Sequence, residues 1–183
     1  MEQVLEVYKR PYDAKRPVVC MDEQPKQLIR ESPIRFRSNR EPQLVWTTNT
    51  FAKVLAMCGC SSNPWEVGAS VRSAVLKAVD WANQVKALVD DPRYADVDRI
   101  TLVCDNLNTH KFASLYQAFD AREAMLLVSK LELVHTPKHG SWLNVAESEL
   151  SVLTRQCLGR RIAQQDEVAD AATAWGERGT VDK

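Results

Sequence analysis

Three acidic residues stand where carboxylates could work together. Asp22 follows the apolar run PVVCM, Asp105 follows RITLVC, and Glu147 comes shortly after a loop that contains glycine. Functional groups gather at strand ends in open α/β sheets, so carboxylates placed there can converge. Such a set suits a hard divalent cation, above all Mg²⁺. Two such ions can activate a water or a 3′-hydroxyl and stabilise the leaving oxygen of a phosphodiester.

Two simpler interpretations compete with this one. Acidic residues at strand ends often serve only as caps or turn formers. Glu149 is a local competitor for Glu147, but it lies two residues further on and therefore points to another side of the helix.

The histidines and cysteines make a weaker case for zinc. No Cys or His stands at tight ligand spacing around His110, His135 and His139, so we interpret these as hydrogen-bonding residues of loops and strand ends. Cys58 and Cys60 form a pair without a second pair, which leaves a small zinc protein as a minor alternative. Five cysteines without a signal peptide indicate reduced thiols in a cytosol.

Apolar periodicity predicts alternating strands and helices along most of the chain. The predicted elements are, in order, a short amphipathic helix and turn in 1–16; a strand in PVVCMDE; a helix over about 78–90 with Val79, Ala82, Val85 and Leu88 or Val89 on one face; a strand in RITLVCDNLN; helical FASLYQAFDAREAMLLVSK; a strand in LELVHTP; a helix in VAESELSVLTRQCL with Asn144 as its N-cap; and a weaker helix from Ala163. This order favours an α/β layer fold.

The bulk composition adds little to these motifs. A length of 183 residues suggests one domain, and 24 basic against 24 acidic residues give no overall charge that would announce a nucleic-acid partner. No apolar run approaches the length that spans a membrane.

Four segments closely resemble the DDE transposases of the IS630 group, bacterial relatives of the Tc1/mariner elements. They are CMDEQPKQL (20–28), VDWANQVKALV (79–89), LVCDNLNTH (102–110) and HTPKHGSWLNVAESELSVLTRQCLGRRI (135–162). The resemblance implies an RNase H-like fold, a mixed sheet flanked by helices, over residues 17–162. It also implies an enzyme that cuts and joins transposon-end DNA with Mg²⁺ or Mn²⁺.

Site residues carry over from the same motifs. Asp22, Asp105 and Glu147 match the catalytic, metal-binding carboxylates of the family. The neighbouring motif residues are expected either to contact DNA (Lys138, His139, Ser141, Trp142 and Asn144) or to shape the site (Glu23, Asn106 and His110). For Trp142, an anchor packed on the core is an equal alternative. The implied partners are transposon terminal inverted repeats and target DNA, commonly TA, with a homodimer as a candidate assembly in a bacterial cytoplasm and on the nucleoid.

The stretch between the first two motifs departs from the family. The family motifs DYEY, EPLGGWR and ERRT are missing, although Asp22 and Asp105 lie 83 residues apart, about the family's spacing. Codons that permit this sequence yield DYEYVRKG, EPLGGW and ECSERRT in one shifted frame, from Trp46, Ser62 and Ser70 onward. We therefore hypothesise that residues from about 32 to 76 are translated out of frame between two compensating indels.

The hypothesis predicts disrupted central strands in 32–76, poorly held carboxylates and little or no activity. The family's N-terminal helix-turn-helix modules are also expected to be missing, and 163–183 is expected to be a truncated tail, so that 1–16 is only a lead-in helix. Two alternatives stay open. One is another RNase H-like nuclease, and the other is a non-catalytic remnant that binds DNA or a partner transposase.

Overall fold

The chain folds into a five-stranded mixed sheet with helices on both faces. A computed structural model describes residues 2–33, 44–59, 68–72 and 78–181. The strands are β1 (Val18–Pro33), β2 (Leu44–Gly59), β3 (Gly68–Arg72), β4 (Ile100–Cys104) and β5 (Leu131–His135). The helices are α1 (Glu2–Lys9), α2 (Ala78–Val89), α3 (Phe112–Ala118), α4 (Ala121–Ser129), α5 (Val145–Leu153) and α6 (Gln165–Val181).

Strand β1 lies at the centre of the sheet, whose strand order is β3-β2-β1-β4-β5. On one side it runs antiparallel to β2, which in turn runs antiparallel to β3. On the other side it runs parallel to β4, which runs parallel to β5. This is the mixed α/β architecture that the sequence predicted, and the fold is RNase H-like.

The sheet separates two hydrophobic cores. Consecutive strand residues point to opposite faces, so Cys20 packs in one core while Val19 and Met21 pack in the other. The first core joins α1, α5 and α6 to the sheet, and the second joins α2, α3 and α4 to it. Both faces of the parallel strands are therefore covered, and every residue of β4 is buried.

Most predicted elements are present, with changes at their ends. Helix α2 buries the predicted Ala82, Val85 and Leu88, but Val79 is 42% exposed and Trp81 takes the buried place instead. The segment FASLYQAFDAREAMLLVSK forms two helices, because Asp120 accepts hydrogen bonds from the first N–H groups of α4 and starts a new helix there. The helix that begins at Val145 changes to a π turn over Thr154–Leu158.

Residues 165–181 form α6, a 17-residue helix that packs near β2 and β3, which confirms the weaker helix predicted from Ala163. Val168 and Ala172, four positions apart on one face, are fully buried in the first core. The sequence signal was weak because α6 presents few large apolar side chains.

The structure also differs from the expectation of disrupted central strands. Within 32–76, residues 44–59 pair with β1 and 68–72 pair with β2, while 34–43, 60–67 and 73–77 lie outside the described residues. Pairing uses main-chain N–H and C=O groups, so a strand can form without a strict alternation of side chains. The segment LVWTTNTFAKVLAMCG is also rich in β-branched and aromatic residues, which favour strands.

None of the described helices combines the length and the apolar character that crossing a bilayer requires.

The packing of α6 gives a first prediction. Val168→Ala removes two buried methyl groups and should lower the free energy of unfolding by about 1–3 kcal/mol. Thr173→Ala, at an exposed position of the same helix, should change it by less than about 0.5 kcal/mol. Urea unfolding followed by circular dichroism measures both. Equal, small effects of the two substitutions would show that α6 is not part of the core.

Candidate active site

Adjacent parallel strands bring the first two carboxylates to one edge of the sheet. Cys20 of β1 is in register with Val103 of β4. Continuing this register by two residues places Asp22 beside Asp105. On its other side, Asp22 is paired with Ala56 of β2, which fixes its backbone there. The prediction that Asp22 ends the first strand is wrong, because β1 continues to Pro33 through its pairing with β2. Asp105 does follow the end of β4, and the register supports the prediction that the two carboxylates lie close together.

Helix α5 supplies the third carboxylate. Asn144 caps this helix, since its Oδ1 accepts the Ala146 N–H at 3.2 Å, and its Nδ2 donates to the Met21 carbonyl at 2.8 Å. The amide therefore ties the start of α5 to the residue that precedes Asp22. Glu147 lies in the first turn of α5 and is exposed, where the helix dipole favours a negative charge.

The charges of Asp105 and Glu147 both act on Asp22, so the three carboxylates influence one another electrostatically. The pKa of Asp22 is raised to about 6, mainly by burial and further by the charges of Asp105, Glu147 and Glu23, while the hydrogen bond from the Glu23 N–H lowers it. Glu147 is thus one of the charges that act on Asp22, which supports it as the third carboxylate.

A buried histidine holds Asp105. The Nδ1 of His110 contacts Oδ1 of Asp105, and its Nε2 lies 3.2 Å from Oε1 of Glu23. Burial by itself lowers the pKa of His110, but hydrogen bonds to Asp105, to the Cys104 thiol and to Glu23 outweigh it and raise the pKa to about 11. His110 is therefore an imidazolium that partly offsets the negative charge of the site.

Other groups hold this histidine in turn. The Trp81 ring stacks on His110 with 5.5 Å between ring centroids, and Nε2 of His135 donates to the His110 carbonyl at 2.7 Å. Hydrogen bonds to the Cys104 thiol and to that carbonyl raise the pKa of His135. The interpretation of His110 and His135 as hydrogen-bonding residues is confirmed. No pattern in the sequence predicted that Trp81 would stack on His110.

The loop between β5 and α5 carries most of the residues predicted to contact DNA. Lys138, His139 and Ser141 are exposed, and Trp142 is 65% exposed, so the alternative that Trp142 anchors the loop to the core is wrong. Asn144 is fully buried and uses both ends of its amide, so it has no free group for DNA. Its role as the predicted N-cap is confirmed.

Local backbone geometry fixes the shape of this loop. His139 adopts a left-handed φ of 65°, and Gly140 follows with its N–H donating to the Pro137 carbonyl at 2.9 Å. A Cβ at Gly140 would lie 2.5 Å from Pro137 Cγ, so only glycine fits there. Asn106, in the loop after β4, is exposed at the same edge.

The donor set is suited to a hard cation. Carboxylate oxygens are the ligands that Mg²⁺ and Mn²⁺ prefer, and an excess of negative charge surrounds Asp22. In the described residues, however, no three Asp, Glu, His or Cys side chains are already gathered closely enough to hold an ion. Cys58 lies in β2 and Cys60 lies outside the described residues, so the zinc alternative based on this pair gains no support.

The raised pKa of Asp22 makes the stability of the metal-free chain depend on pH. A carboxyl whose pKa is higher in the folded than in the unfolded chain stabilises the fold below pH 4 and loses this effect as pH rises through 6. Asp22→Asn should therefore raise the free energy of unfolding at pH 7 by about 3 kcal/mol, and by little at pH 4. Urea unfolding with a chelator present, at pH 4 to 7, measures this difference.

The exposed Asp98→Asn is the matched control and should show no such pH dependence. An Asp22→Asn chain that is less stable than the parent at pH 7 would contradict the repulsion inferred among the carboxylates.

Comparisons with known proteins agree with the fold. Among solved structures, the chain is similar to the Mos1 strand transfer complex (TM-score 0.57, 14% identity), covering 98% of this chain and 54% of that one. It is also similar to the mariner Mos1 paired-end complexes with Mg (0.58, 17%, covering 97% and 52%) and with Mn (0.53, 15%, covering 97% and 57%). The chain thus spans about half the length of these proteins, and identities this low show the fold alone.

Similarity in sequence reaches most of the chain. No curated protein matches it. The family model of the DDE superfamily endonucleases, however, matches residues 17–169, which include all three carboxylates and the loop before α5. The chain belongs to the DDE superfamily endonucleases.

Proposed function

We propose that this chain is the catalytic domain of a Tc1/mariner-like transposase of the IS630 group, which cleaves transposon-end DNA and joins it to a target. One observation carries the proposal. Asp22 lies inside β1, just beyond the part that pairs with β4, and Asp105 directly follows β4. Asn144 ties the helix of Glu147 to Met21, the residue before Asp22. The family match and the Mos1 strand transfer and paired-end complexes support it.

Asp22, Asp105 and Glu147 are the residues that would hold the divalent metal. The similar Mos1 complexes with Mg and with Mn support a choice between these two ions. When bound, Mg²⁺ or Mn²⁺ would activate a water or a 3′-hydroxyl and stabilise the leaving oxygen of the phosphodiester.

The surrounding residues position these carboxylates. His110, which Glu23 contacts in turn, holds Asp105 from the buried side, so the remaining oxygen of Asp105 can face the substrate. Asn144 sets the distance between α5 and β1 and thereby the place of Glu147. Pairing with β2 at Asp22 itself, and with β4 up to Cys20, keeps Asp22 in place against repulsion from its neighbours. Fixed geometry of this kind is what metal-assisted phosphoryl transfer requires.

The exposed loop before α5 is the proposed contact with DNA. Lys138 and His139 can contact phosphates, Ser141 can donate to a phosphate or sugar oxygen, and the exposed Trp142 can lie against bases. The proposed partners are transposon terminal inverted repeats and a target, commonly TA, with a homodimer as the assembly. The proposed location is the cytoplasm of a bacterium, on the nucleoid when DNA is bound.

We further propose that this copy is degenerate and has little activity. The supporting argument is that codons which permit the sequence of residues 32–76 also yield three family motifs in one shifted frame. The second candidate function is a non-catalytic remnant that still binds DNA or a partner transposase, since carboxylates can persist in an inactive copy. Another RNase H-like nuclease is less well supported, because the PKHGSWLN loop resembles that of the transposases.

Cleavage of DNA tests the assignment of the carboxylates. A duplex from the ends of the element that encodes the chain should be nicked with Mg²⁺ or Mn²⁺ and left intact with a chelator. Asp22→Asn, Asp105→Asn and Glu147→Gln should each lower the rate on the order of a hundredfold. Gel analysis of end-labelled DNA measures the rate.

Glu149→Gln is the matched control, because it removes a carboxylate from the same helix and should keep the parent rate. A loss as large as that of Glu147→Gln would contradict the assignment. If the parent chain binds the duplex by fluorescence anisotropy but never cleaves it, the non-catalytic remnant is the correct function.

Replacing residues 32–76 with the sequence of the shifted frame tests the degenerate state. The restored chain should melt at a higher temperature, gain more stability from Mg²⁺ and cleave DNA faster than the parent, because its strands carry side chains selected for this sheet. Melting curves with and without Mg²⁺ measure the difference. Equal Mg²⁺-induced shifts in the two chains, or a gene without paired indels relative to close relatives, would refute the frameshift.

A further inference from the structure

Tyr8 connects α1 to both segments that carry the candidate metal ligands. Its hydroxyl donates to the Leu143 carbonyl at 2.9 Å and lies 3.3 Å from the Cys20 sulfur. Leu143 directly precedes Asn144, the cap of the helix that carries Glu147. Cys20 lies two residues before Asp22. A single hydroxyl outside the carboxylate cluster therefore links the two segments whose separation sets the site.

Helix α1 is held firmly enough to make this link effective. Val4 and Val7 are buried in the first core, which also holds Leu143 and Ala146 at the start of α5. Beyond the helix, both oxygens of Glu132 in β5 lie 3.0–3.1 Å from Nη1 of Arg10. Tyr8 thus belongs to a helix that Val4 and Val7 hold in the core and that Arg10 links to β5.

The link is independent of the one that Asn144 makes. Asn144 joins α5 to β1 at the Met21 carbonyl, whereas Tyr8 joins the preceding residue of each segment, Leu143 and Cys20. Two neighbouring cross-links prevent the rotation that one alone would permit. Removal of the Tyr8 hydroxyl takes a hydrogen-bond donor away from the carbonyl of the buried Leu143. The start of α5 is then held to β1 by the Asn144 amide.

We propose that Tyr8 is a positioning residue of the active site, which sets the place of Glu147 relative to Asp22 through Leu143 and Cys20. This role rests on the proposed function, because there Glu147 and Asp22 hold the metal together. It makes α1 a part of the catalytic domain rather than a lead-in to it.

The test compares Tyr8→Phe, which keeps the ring and removes the hydroxyl, with Tyr12→Phe, which removes an exposed hydroxyl from the same part of the chain. Hydrogen exchange of the metal-free proteins, measured by mass spectrometry, should show faster exchange in Tyr8→Phe within peptides covering 20–22 and 141–147. Peptides from α2 and α4, on the other face of the sheet, should exchange as in the parent. This readout needs neither metal nor activity.

Binding of Mn²⁺ provides the second readout. Tyr8→Phe should weaken Mn²⁺ binding about tenfold by calorimetry, and Tyr12→Phe should not change it. If the parent binds no Mn²⁺, the proposed function fails while hydrogen exchange still tests the link. Unchanged exchange at 141–147 in Tyr8→Phe, or faster exchange spread evenly over both cores, would overturn the positioning role.

Discussion

The site of this protein depends on holding like charges together. Asp22, Asp105 and Glu147 come from segments far apart in the sequence, and repulsion among their charges adds to the effect of burial in raising the pKa of Asp22. Without a cation nothing about the carboxylates themselves favours this arrangement. The rest of the fold must therefore hold the carboxylates together. It does so through hydrogen bonds that join the segment after β5 to the central strand β1 at many points.

These attachments run along most of β1. After the links at Cys20 and Met21, Thr154 donates to the Gln24 side chain at 2.8 Å. Lys26 then donates to the Leu158 and Arg160 carbonyls, and the Ile29 N–H donates to the Ile162 carbonyl at 2.8 Å. The strand and the segment from 143 to 162 thus behave as one unit, on which the first core is built. On the other side of the carboxylates, His110 and Trp81 close the site against the second core.

The sequence predicts the parts of this site that local patterns encode. The apolar run before Asp105 marks a strand end, and Asn144 before VAESEL marks a helix start, because each signal involves neighbouring residues. The run before Asp22 marks only the beginning of β1, because the rest of that strand depends on pairing with β2. The links from Asn144 to Met21 and from Tyr8 to Leu143 join residues 123 and 135 positions apart, and no periodicity marks them. The sequence signal of helix α6 is weak because its fully buried residues, Val168 and Ala172, are small, and the larger Trp175 packs only partly buried against the core. Strand β2 was underestimated because main-chain pairing does not require the expected alternation.

The main-chain pairing between β1 and β2 affects how the protein responds to changes of its side chains in β2. Its register runs from Val19 to Pro33 and is made by main-chain groups that every non-proline residue supplies. A stretch of foreign side chains can therefore occupy β2 while the path of the chain, and with it the backbone that carries Asp22, stays in place. Recognition of a particular DNA sequence, in contrast, depends on the identity of the side chains and is lost when they are replaced. Under relaxed selection, a protein built in this way loses its specificity for a DNA end before it loses the outline of its fold.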